Sequence, residues 1–131
     1  ATKEPVPVDN RFFEDRIQKA ANLRAPLAQS GTSGFRLVHG ENDGLPGLVI
    51  DRYGDTLAIK LYTEAWVPYL GLLKAALQTV VPVERMVLLL GRQVERTHSS
   101  DVSHGMLLKG PPLDGSVLFN ENSMVFEADI I

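Results

Sequence analysis

The sequence predicts an α+β domain: an antiparallel or mixed sheet of five to six strands with two helices packed against it. Three observations carry this reading. Apolar residues recur at helical spacing before residue 28 and again over 64–80. Between them, 35–61 alternates with a period of two in three short runs. Clusters of Gly, Pro, Asn and Asp separate the runs.

Residues 1–8 hold Pro5 and Pro7 and read as a flexible lead-in, so the single domain is expected over 9–131. Asp9 or Asn10 can cap a helix running to about Leu27, because either side chain accepts a backbone N–H, and Glu14 and Asp15 lie early enough to favour the positive end of the dipole. Phe13, Ile17, Ala20, Arg24 and Leu27 share its face, with the aliphatic stem of Arg24 laid over the core. Ala25-Pro26 and Gly31-Thr32-Ser33-Gly34 are expected to end the helix.

From Phe35 the period becomes two, with Phe35, Leu37 and His39 on one side and Arg36 and Val38 on the other. A second strand is expected from Leu48 to Tyr53. In the connection, Asp43-Gly44 allows a positive φ and Pro46-Gly47 suits a type II turn. After Gly54-Asp55, the alternation of Leu57, Ile59 and Leu61 predicts a third strand and an antiparallel meander. Val67, Leu70, Leu73, Leu77 and Val80 place a helix over 64–80, Pro68 falling in its first turn. Val83 to Leu90 is apolar on both alternating faces after Arg85, which suits a strand covered on both sides or buried at the sheet centre. The stretch from Gly91 to Gly115 is read as loops around a short strand at 105–109. A hairpin closes the chain, Val117 to Phe119 pairing with Met124 to Ile130 across Asn120-Glu121-Asn122-Ser123.

Composition narrows the chemistry. The 131 residues contain no Cys, which removes thiolate nucleophiles, Cys-ligated zinc and Cys-x-x-Cys redox motifs. Thirteen Lys and Arg against 16 Asp and Glu give a net charge of −3, so affinity for nucleic acid would come from a local patch rather than the whole surface. No run approaches the ~18 apolar residues of a spanning helix, and the start lacks a signal peptide's apolar core. The expected setting is the cytoplasm, with no membrane partner.

Motif spacing excludes several readings. Gly40, Gly44 and Gly47 fit neither G-x-G-x-x-G nor the P-loop, and a strand rather than a helix follows them. As a calcium loop the same segment would put Ile50 where a bidentate Glu is needed. Gly31-Thr32-Ser33-Gly34 matches a G-x-x-G clamp but leads into a strand, as a flexible connector does. His98, Asp101 and His104 carry donors suitable for a metal at a spacing that fits no zinc pattern, and Ser99 and Ser100 beside His98 lack a G-x-S-x-G elbow. No metal site is expected. Arg11, Arg16 and Lys19 on the first helix and Arg36, Arg52 and Lys60 on neighbouring strands could form a positive surface for a phosphate backbone.

The run Phe35-Arg36-Leu37-Val38-His39-Gly40-Glu41-Asn42-Asp43-Gly44-Leu45-Pro46-Gly47-Leu48-Val49-Ile50-Asp51-Arg52-Tyr53-Gly54-Asp55 closely resembles the signature of bacterial S-adenosylmethionine-dependent large-subunit rRNA methyltransferases that make 5-methylcytosine. Phe12-Phe13-Glu14-Asp15-Arg16-Ile17 and the segment from Asn120 to Asp129 resemble flanking parts of that family's middle domain, although Ser123 stands where the family usually has Gly and 91–115 matches poorly. The resemblance implies a PUA RNA-binding module before this domain and a Rossmann-like catalytic domain after it. S-adenosylmethionine and the attacking cysteine would belong to that catalytic domain, so no catalytic or cofactor-binding residue is expected here.

The expected role is therefore that of a central scaffold, inactive alone, that positions large-subunit rRNA and docks on the missing catalytic domain. Arg11, Arg16, Arg36, Arg52 and Lys60 are the expected phosphate contacts. Two rivals stand beside it. One is a structural spacer without RNA contact, which would self-associate as a homodimer through its exposed apolar surface. The other is a small stand-alone enzyme built on His98, Asp101 and His104.

Overall fold

The computed structural model describes residues 7–97, 102–121 and 124–131. Helix α1 spans Asn10–Gln29, and the Asp9 carboxylate accepts the Phe12 N–H at 2.9 Å to cap it. Phe13, Ile17 and Ala20 are buried, as the spacing requires. The expected stop at Ala25-Pro26 is wrong: the helix runs through Pro26 for three more residues. Proline lacks the N–H that would bond the Asn22 carbonyl, but Asn22 is exposed, so water can take that acceptor near the helix end.

Strands β1 (Gly34–His39), β2 (Leu48–Tyr53) and β3 (Thr56–Leu61) form the antiparallel meander. Strand β4 (Arg85–Leu90) pairs with β3 in parallel, and β5 (Leu107–Lys109) completes the order β1-β2-β3-β4-β5. The sheet is thus mixed and five-stranded. A parallel neighbour needs a crossover, supplied here by a 3₁₀ segment, Glu64–Tyr69, and helix α2, Leu70–Val80.

Three local details depart from the expected pattern. Pairing slips between Arg36 and Val38, so Leu37 and Val38 are both buried instead of alternating, as a bulge permits. The helix foreseen over 64–80 begins as a 3₁₀ helix containing Pro68, with the Thr63 hydroxyl accepting the Ala65 N–H at 3.3 Å. A short helix α3 (Arg92–Thr97) follows β4 where loop was expected.

The sheet's two faces are covered differently. On one, Phe13 and Ile17 of α1 and Leu73 and Leu77 of α2 pack on Ile50, Leu57, Ile59, Met86 and Leu88. Strands β6 (Val117–Glu121) and β7 (Met124–Ala128) form a separate antiparallel ribbon. Val117, Ala128 and Ile130 cover Ala58 and Val87 on the opposite face, joined by Tyr53 and Leu89. This double covering explains why 86–90 is apolar throughout. Ribbon and sheet are also bonded: Ser33 N–H donates to the Asn120 carbonyl and the Asn120 N–H to the Ser33 hydroxyl, both at 2.7 Å. Of the turn expected at 120–123, Asn122 and Ser123 lie outside the described residues.

Candidate nucleic-acid interface

The β1–β2 connection is organised by charge and by two glycines. A 3₁₀ turn over Gly40–Asp43 ends on Gly44, whose φ of 73° is the left-handed closure that glycine accommodates. Pro46-Gly47 then forms the type II turn, with Gly47 at φ 76° and the Leu48 N–H donating to the Leu45 carbonyl at 3.1 Å. The Asp43 carboxylate accepts two bonds from Arg24, at 2.7 and 3.0 Å, and one from the His39 N–H at 2.6 Å. Its side chain is 3% exposed. Burial alone would push its pKa up, but the bonds from Arg24 and His39 prevail and hold the carboxyl below its ordinary value. Trp66 Nε1 donates to the Pro46 carbonyl at 2.7 Å and ties the same loop to the crossover.

The five expected phosphate contacts do not form one patch. Arg11 is exposed on the first turn of α1. Arg16 is engaged, its Nε donating to the Gly44 carbonyl at 3.1 Å and its guanidinium lying 3.7 Å from the Phe12 ring centroid. Arg52 faces the helix layer beside Phe35 and Arg24, with Nε donating to the Gly54 carbonyl at 2.9 Å. Arg36 and Lys60 share the opposite face of the sheet, since Arg36 pairs with Asp51 and Lys60 lies across from Val49. Lys60 Nζ stands 5.1 Å from the Tyr62 ring centroid.

The Arg36 side chain, 48% exposed, meets Asp51 through Nε at 2.8 Å and through a second nitrogen at 3.3 Å. That hydrogen bond holds the guanidinium pKa above its usual value. Beside the pair, the Tyr53 ring meets Phe119 edge-on at 5.6 Å, and Phe119 stacks on Phe126 at 5.6 Å. Burial, reinforced by the Asp51 charge, raises the Tyr53 hydroxyl pKa. Sequence reasoning missed this aromatic group; the signal was the Phe119–Phe126 spacing, which becomes a cross-strand pair once the hairpin register is known. A cleft of about 450 Å³ opens here between sheet and ribbon.

Of the rival catalytic set, His98 and Asp101 lie outside the described residues, while His104 Nδ1 accepts the Leu90 N–H at 3.0 Å. Among the described residues no group of three His, Asp or Glu side chains could hold a metal ion, and no helix is long and apolar enough to cross a membrane. The parallel β3–α2–β4 unit is where a nucleotide-type cofactor turn would sit, yet Tyr62-Thr63 follows β3 and leads into a 3₁₀ helix. Gly91, at the end of β4, is filled by its neighbours: its N–H bonds the Leu61 carbonyl at 2.8 Å, and a Cβ there would lie 3.2 Å from Tyr62 Cδ1. These residues do not fit S-adenosylmethionine.

A ribosomal RNA large subunit methyltransferase from Deinococcus radiodurans is 36% identical over 135 residues, covering 98% of this chain and 33% of that protein. Ribosomal RNA large subunit methyltransferase I from Shigella flexneri is 36% identical over 101 residues, covering 76% of this chain and 26% of that protein. The sequence relatives are large-subunit rRNA methyltransferases. The chain spans a quarter to a third of their length. Among solved structures, a protein from Streptococcus mutans assigned as a SAM-dependent methyltransferase matches with a TM-score of 0.79 at 21% identity, over 95% of this chain and 31% of that one. A second, assigned as a methyltransferase and complexed with SAH, matches with a TM-score of 0.77 at 21% identity, over 95% of this chain and 30% of that one. These two share the α+β fold. No family model matches.

Proposed function

We propose that this chain is the central domain of a larger S-adenosylmethionine-dependent methyltransferase that makes 5-methylcytosine in large-subunit rRNA, acting in the cytoplasm. The observation that carries the reading is one of extent: a relative aligns over 98% of this chain while only 33% of the relative is used. Attack on the pyrimidine ring at carbon six, which activates carbon five, needs a nucleophile, and this family's thiolate cannot come from a chain without Cys. The domain's own work is to hold RNA and to present it to a catalytic domain that carries the cofactor.

Arg11 and Arg36 are the exposed phosphate contacts and Lys60 a half-buried one, while Arg16 and Arg52 each hold a backbone carbonyl through Nε, Arg16 also donating to the Phe12 carbonyl at 3.4 Å. Leu118, Met124 and Val125 on the ribbon are 60 to 67% exposed and suit packing against the catalytic domain. The test is binding of a large-subunit rRNA fragment to the 131-residue chain over a range of salt concentrations. Affinity should fall steeply with salt and fall again in the Arg36→Ala/Arg52→Ala variant. Indifference to salt and to both substitutions rejects RNA contact and leaves a structural spacer, which would show as a homodimer in sedimentation.

A further inference from the structure

The cleft between sheet and ribbon has a charge balance unlike that of a phosphate site. Arg36 brings one positive charge, but Asp51 and Glu121 bring two negative ones, and Arg36 is already spent on Asp51. A phosphate would meet net repulsion here. A neutral group bearing N–H donors would not, because each carboxylate oxygen of Asp51 accepts one bond from Arg36 and keeps a second acceptor site. The apolar part of the wall is aromatic: Tyr53 and Phe119 line it, with Phe126 stacked behind Phe119 and 39% exposed. Flat, weakly polar surfaces beside carboxylate acceptors are what an unstacked nucleobase with an exocyclic amino group needs.

The parts are held rigidly. Arg36 and Asp51 face one another across the β1–β2 ladder, Gly34 pairs with Tyr53 two residues away, and the double hydrogen bond between Ser33 and Asn120 fixes the ribbon over them. Of the proposed phosphate contacts only Arg36 borders this pocket; Lys60 lies farther along the same face and Arg11 on α1.

We propose that this cleft takes one unpaired base of the RNA that carries an exocyclic amino group, with Asp51 accepting from that group and Tyr53 and Phe119, backed by Phe126, packing on its ring. The inference rests on the proposed RNA contact and adds a base-reading pocket to a backbone-binding surface.

The experiment is an amide chemical-shift titration of the 131-residue chain with hexamers of cytidylate and of uridylate, repeated with Asp51→Asn and with Phe126→Ala. Cytidylate should bind about tenfold tighter than uridylate and shift the amides of Arg36, Asp51, Tyr53 and Phe119. Asp51→Asn should erase the preference between the two hexamers, and exposed Phe126→Ala should weaken both while leaving the spectrum dispersed. If RNA binds with shifts confined to α1 and Lys60, the base pocket is wrong and the RNA-contact reading stands. If neither hexamer nor the rRNA fragment binds, both fall. If the cleft responds instead to a separately added catalytic domain, it is a protein interface and the pocket proposal is overturned.

Discussion

The ring of Phe119 occupies the space that a side chain at Gly34 would need, so that a Cβ on residue 34 would overlap its edge. The backbone of Gly34 is an ordinary strand residue paired with Tyr53, so the requirement for glycine comes from the ribbon's approach rather than from dihedral angles. Gly34→Ala should therefore destabilise the fold by about 2 kcal/mol through overpacking. Phe119→Leu in the same chain should recover part of that loss, because the smaller side chain vacates the site. Urea unfolding of both single variants and the double variant measures the coupling; strict additivity would show that the contact is not the cause.

Asp43 gives stability a sign with respect to pH. Its folded pKa lies below its ordinary value of 3.8, so the folded state binds this proton less readily than the unfolded chain. Its contribution is complete above that ordinary value and is lost as pH falls through the folded one. Asp43→Asn should flatten this part of the stability curve, and Arg24→Ala should cost about 3 kcal/mol at neutral pH by leaving a buried carboxylate without its partner. Thermal unfolding between neutral and strongly acid pH reads both effects.

Trp66 binds the signature loop through one bond, Nε1 to the Pro46 carbonyl. Trp66→Phe keeps much of the apolar contact with Phe13 and Tyr69 but strands that carbonyl, and should cost about 1–2 kcal/mol. Faster amide exchange at Leu48, whose N–H closes the adjacent turn, is the local readout.

On the proposed RNA surface the exposed Arg11 and the half-buried Lys60 should act through charge alone. Arg11→Ala and Lys60→Ala should each lower the slope of log affinity against log salt by about one, with no change in which RNA is preferred. Filter binding at four salt concentrations separates this from the base-selective effect expected at Asp51.

Most of the architecture was legible because the helices repeat at about 3.6 residues, the meander strands largely alternate, and turn residues mark the junctions between them. The meander, its type II turn at Pro46-Gly47 and the closing hairpin follow from that local grammar. What escaped depends on partners distant in sequence. Nothing around Arg24 announces Asp43, 19 positions away, so a side chain read as an aliphatic cover is in fact half of a nearly buried ion pair. The bulge at Leu37 is invisible to alternation counting because both residues it turns inward are apolar. The expected basic patch dissolved for a related reason: strand parity puts Arg36 and Arg52 on opposite faces of one sheet, and backbone carbonyls claim Arg16 and Arg52.

The bonds between Ser33 and Asn120 join positions 87 apart in the chain. During synthesis the helix-side core has nearly all its strands once Leu90 has left the ribosome, whereas the ribbon emerges about 30 residues later. For several seconds of translation Tyr53, Ala58, Val87 and Leu89 face water on a bare sheet. That interval is when a nascent copy is most open to chaperones and to aggregation, and any change that slows ribbon closure, Gly34→Ala foremost, should lower soluble yield more than its equilibrium cost suggests.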